Sequence, residues 1–173
     1  TMVVPETLNP RYRAVLETHM ACEGVEVRTA ARGDDGATEL ASLTAALDDT
    51  VGAVVIQNPN YLGCLERCDD LAAAATEVGA LVVASVNPVS LSLLRSPGEY
   101  GASVAVGEAQ PPGVSPPWGG PLLRFLACSD ALKRQTPRRA VGRTQDGEGR
   151  PGYVLPLHTR PHHIRRAQSP RHP

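Results

Sequence analysis

Val51-Gly52-Ala53-Val54-Val55-Ile56-Gln57 is a continuous, largely apolar run, closed by Asn58-Pro59-Asn60. A strand buried on both faces of a parallel sheet reads this way, without the alternation of a half-exposed strand. The following stretch, Leu65 to Val78, is rich in alanine, has the propensity of a helix and stops at Gly79. Ala80 to Val86 is a second apolar strand, ended by Asn87-Pro88. Strand, helix, strand is a βαβ unit, and its right-handed crossover lays the two strands parallel with the helix on one face. Loops leaving the C-terminal ends of such strands, here Gln57 to Gly63 and Asn87 to Ser90, are predicted to edge a ligand cleft.

Upstream, Asn9 suits an N-cap and Pro10 a first helical position, with Tyr12, Leu16 and Met20 following at a spacing of four until Gly24. The pattern predicts a helix of about three turns. Val25 to Arg28 is a short strand candidate, and after the Gly33 to Gly36 turn Leu40, Leu43 and Leu47 mark a second amphipathic helix. Downstream, Ser103 to Val106 is a short strand candidate. Residues 107–121 hold five prolines and four glycines, a composition for a fixed irregular loop. A strand from Leu122 to Cys128, a brief helix from Asp130 to Gln135, a turn from Gln145 to Gly152 and a last strand from Tyr153 to His158 complete the expectation.

With 173 residues, 42% of them hydrophobic, the chain has the size and composition of one domain or part of one. Only 3% are aromatic, so the core lacks high-area anchors and an isolated domain is expected to be weakly stable. No apolar run approaches the ~20 residues of a membrane span. Thr1 to Pro10 do not follow a charged start with an apolar stretch, so the expected setting is the cytoplasm, or the mitochondrial matrix in a eukaryote, with no membrane partner. Charge is uneven: residues 1–132 carry 7 basic and 16 acidic groups, residues 133–173 carry 10 and 2. The basic end has no interleaved aromatics and no nucleic-acid motif, and neutralising an acidic neighbour explains it better than nucleic-acid binding. Of four cysteines only Cys64 and Cys68 are close, and no second pair completes a zinc set. His158 and His162 have a metal-like spacing, but Pro161 between them breaks the helical turn it needs. No metal is expected.

Several segments together resemble one family. They are Gln57-Asn58-Pro59-Asn60, Asn87-Pro88-Val89-Ser90-Leu91, Pro97-Gly98-Glu99-Tyr100-Gly101-Ala102, and Gly107-Glu108-Ala109-Gln110-Pro111 running to Gly119-Gly120-Pro121. In this order and spacing, they are similar to the non-catalytic first subunit of the glycine decarboxylase (P-protein) family. Leu155 to Arg160 and His163 to Arg166 resemble a later stretch of it, so the resemblance covers about residues 9–168, with 169–173 a divergent basic tail. It implies an α/β fold: part of the large domain of the aspartate-aminotransferase type (fold type I pyridoxal-phosphate enzymes), a mostly parallel sheet with flanking helices. It also implies a glycine dehydrogenase that decarboxylates glycine on pyridoxal phosphate and passes the aminomethyl group to the lipoyl H-protein.

The residues that would do that chemistry are missing. Gln110 stands where the resemblance places the Schiff-base lysine, and Asn87 where it places the carboxylate that holds the pyridine nitrogen protonated. The one lysine is Lys133. What the resemblance then implies is a fragment of a subunit that docks on a catalytic half carrying the cofactor. The rival readings are a relic that only binds that half and an independent transferase using unbound cofactor. Asn58 and Asn60 are candidates to contact a ligand or the partner, against a reading in which they cap the strand. Gln110 is a vestige or an interface contact. Glu99 and Glu108 are solvated or catalytic carboxylates, and Arg160, with Arg165 and Arg166, is a clamp for a phosphate or carboxylate or a solvated tail.

Overall fold

The computed structural model describes residues 1–113, 122–133, 135–136 and 140–157. The chain divides into two compact units, Thr1–Ser129 and Asp130–Pro173.

In the first unit six strands form one sheet: β1 (Met2–Pro5), β2 (Val27–Ala30), β3 (Ala53–Asn58), β4 (Leu81–Val86), β5 (Val104–Glu108) and β6 (Arg124–Cys128), in the order β2-β1-β3-β4-β5-β6. The first five are parallel and β6 runs antiparallel to β5. Helices α1 (Pro10–Cys22), α2 (Leu40–Ala46) and α3 (Cys68–Glu77) connect β1 to β2, β2 to β3 and β3 to β4. The chain steps from β1 outward to β2 and then back across β1 to β3. Right-handed crossovers in opposite directions put α1 on one face and α2 and α3 on the other. The larger core lies on the α2/α3 face, where Val3, Val54, Ile56, Val82 and Ala84 meet Leu43, Leu71, Ala72 and Ala75. On the opposite face Val4, Leu8 and Val55 pack with Leu16 of α1.

The expected βαβ unit is present and the sheet is mostly parallel with flanking helices. Several details differ from the reading of the sequence, among them β5, which runs on to Glu108 into the stretch expected to be loop. Strand β1 was not anticipated, because four residues ending in proline give little signal, yet it is paired on both sides. Its proline sits at the strand's end, where a missing N–H is tolerated. Strand β2 lies two residues later than expected, because Val25 is used in the turn after α1, donating its N–H to Met20 O at 2.9 Å. Helix α3 begins at Cys68 rather than Leu65: Leu65 is exposed and the Glu66 side chain is drawn inward. Of the brief helix expected at Asp130 to Gln135, the described residues 130–133 and 135 form turns instead, with single bonds from Lys133 N to Asp130 O and from Gln135 N to Leu132 O.

Within the second unit β7 (Ala140–Gln145) and β8 (Pro151–Leu157) form an antiparallel hairpin. The sequence suggested β8 and the turn but not β7. The Asp146 carboxylate accepts from Glu148 N and Arg150 N, both at 2.9 Å, and so closes the turn between them. Among the described residues no helix is long and apolar enough to cross a membrane.

Gly107 marks the tightest point of the sheet. A Cβ there would lie 2.2 Å from the Val86 carbonyl oxygen on β4 and 2.6 Å from the Phe125 ring on β6. A ring can turn aside, but a backbone carbonyl inside the sheet cannot. Gly107→Ala is therefore expected to cost about 2–3 kcal/mol, or to prevent folding. Thermal unfolding measures this, and an unchanged Tm would show that β4 and β5 are not held this closely.

Candidate functional site

Between β1 and β3 the connections turn to opposite faces of the sheet, which in an open α/β sheet is where a crevice forms beyond the strand ends. Here that place is spanned by the protein's own polar groups. At their centre is Glu66, 8% exposed, in the loop between β3 and α3. Its Oε1 accepts from Thr7 Oγ1 at 2.8 Å, Thr38 Oγ1 at 3.0 Å and Asn60 Nδ2 at 2.9 Å. Its Oε2 accepts from the Thr38 backbone N–H at 2.8 Å. Thr7 follows β1, Thr38 follows β2 and Asn60 follows β3, so one carboxylate ties three loops together. Burying it is tolerable because its oxygens are supplied with donors.

Asn60 is buried and fully engaged. Its Nδ2 also donates to Gly36 O at 2.9 Å, and its Oδ1 accepts from Leu62 N and Cys64 N, both at 3.0 Å. Gly36 has φ +80°, and a Cβ on it would lie 2.8 Å from Cys64 Sγ, so glycine allows the loop after β2 to approach the loop after β3. Asn58 Oδ1 accepts from Glu66 N at 3.1 Å, and Gln57 Oε1 accepts from Asn9 N at the start of α1 at 2.8 Å. Tyr61 N donates to Thr7 O at 3.0 Å. The loop after β3 is thus bonded at nearly every residue.

Towards β4 and β5 the edge is more open. Asn87 is exposed, and its Oδ1 accepts from Val89 N at 3.0 Å in a local turn. Gln110 is half-buried just past the end of β5, and its backbone carbonyl accepts from Gly113 N at 3.1 Å. Glu108 accepts from the Tyr12 hydroxyl of α1 at 3.2 Å. Partial burial, then the Glu108 charge and this hydrogen bond, push the Tyr12 phenol above its usual range. Glu99 is committed elsewhere: with Ser96 it forms a capping box on the 3-10 turn Pro97–Tyr100, accepting from Ser96 N at 2.8 Å. Beneath the clasp the Cys68 thiol is pushed up to about 11 by burial and by the Glu66 and Asp69 carboxylates, and is therefore not a ready nucleophile. Arg160, Arg165, Arg166, His158, His162 and the 119–121 segment lie outside the described residues.

The structure therefore brings Asn58 and Asn60 into one network and leaves Asn87 and Gln110 farther along the same edge. Glu66, Thr7 and Thr38, the centre of that network, were not singled out from sequence. Glu66 reads there as an ordinary polar position of a helix, and only the chain reversal that withdraws it from α3 gives it a role.

The model of the glycine cleavage system P-protein family matches residues 1–170. The chain belongs to that family. Among curated P-protein relatives it is 45% identical over 168 residues to the probable glycine dehydrogenase (decarboxylating) subunit 1 of Desulfitobacterium hafniense, covering 97% of this chain and 37% of that protein. The protein described in the same words from Desulforamulus reducens is 44% identical, with 95% and 37% covered. A crystal structure of glycine decarboxylase (P-protein) of the glycine cleavage system, in inhibitor-bound form, matches with TM-score 0.85 and 43% identity, covering 97% of this chain and 37% of that one. An O-acetylhomoserine sulfhydrylase of Wolinella succinogenes, TM-score 0.60 at 12% identity over 78% of this chain and 36% of that one, shares the fold alone. The chain thus spans little more than a third of the length of these P-proteins.

The two kinds of asparagine are expected to behave differently. Asn60→Ala leaves the Leu62 and Cys64 N–H groups without their acceptor and the Gly36 carbonyl and Glu66 Oε1 without one donor, and should cost about 2–4 kcal/mol. Asn87→Ala removes one local bond at an exposed turn and should stay within about 1 kcal/mol. Urea unfolding of the two variants compares them, and equal losses would mean that the Asn60 network carries no stability.

Proposed function

We propose that this chain is a non-catalytic part of glycine dehydrogenase (aminomethyl-transferring, decarboxylating). It supports glycine decarboxylation and aminomethyl transfer to the lipoyl H-protein by docking on a catalytic half. The observation that carries the reading is the chemistry of the cleft edge. Its candidate contacts, Asn58, Asn87 and Gln110, are neutral amides, and residues 1–129 contain no lysine. An amide nitrogen cannot form an imine, and an amide cannot supply the formal charge that stabilises a pyridinium. The residues at this edge do not fit a covalently held pyridoxal phosphate. In this reading the cofactor belongs to the partner's lysine, and this chain's residues shape and close the site. Gln110 replaces the Schiff-base lysine, and Arg160 is taken as an interface residue from the sequence alone, its guanidinium being suited to a phosphate or carboxylate. The bacterial relatives favour a cytoplasmic setting.

The experiment mixes the purified chain with a catalytic subunit, pyridoxal phosphate and H-protein and follows exchange of the glycine carboxyl with CO₂. The expected result is exchange in the complete mixture and none with the chain as the sole P-protein component. Exchange by the chain alone would overturn the assignment of Gln110. A complex that forms and stays inactive would instead favour a relic that only binds the catalytic half.

A further inference from the structure

We draw no further inference here: the strongest candidate, the exposed apolar patch of Tyr61, Leu62 and Leu65 on the loop after β3, carries none because nothing in the structure shows what covers it.

Discussion

One buried carboxylate receiving four donors sets the form of the cleft edge. Glu66 binds the hydroxyls of Thr7 and Thr38, the Asn60 amide and the Thr38 backbone N–H, all within 3.0 Å. An unpaired charge at this depth would cost several kcal/mol, so the arrangement is stable only when every donor is in place. That requirement joins loops from three successive strands. It also moves the start of α3 to Cys68 and makes Gly36 necessary beside Cys64.

This clasp lies where the strand order reverses, the place at which a sheet of this class ordinarily opens to a ligand. Between β1 and β3 the space is taken by the protein's own groups. The polar groups beyond it, at the ends of β4 and β5, are Asn87, Gln110 and the Tyr12–Glu108 pair. They can donate and accept hydrogen bonds, but they offer no amine for covalent chemistry. Neutral amides at this edge are what the proposed non-catalytic reading rests on, and the chain's membership of the P-protein family is where that proposal starts.

Much of the sheet was legible because buried parallel strands are written as continuous apolar runs: Val51 to Gln57 and Ala80 to Val86 needed no tertiary information. Helix α1 was equally legible, from Asn9 capping Arg11 N and from Pro10 at its first turn. Strand β1 was hidden by its length and its proline, and β7 by Gly142 and Arg143 within a short run. The family was readable from ordered Asn-Pro and Gly-rich segments, which local propensity alone would have called turns. Asn60 stands out in the sequence by its place at a strand end, whereas its partner Glu66 does not. A buried carboxylate is recognisable only by the donors that converge on it, and Thr7 and Thr38 come from 59 and 28 residues away.

Native-state hydrogen exchange at Thr38, Leu62, Cys64 and Glu66 tests the clasp most directly, because each of these backbone N–H groups is held by a side-chain oxygen of Glu66, Asn60 or Asn58. If the clasp is part of the core, these amides exchange with protection comparable to the central residues of β3 and lose it together in Glu66→Gln. Exchange at the rates of an open loop, with β3 still protected, would contradict the account.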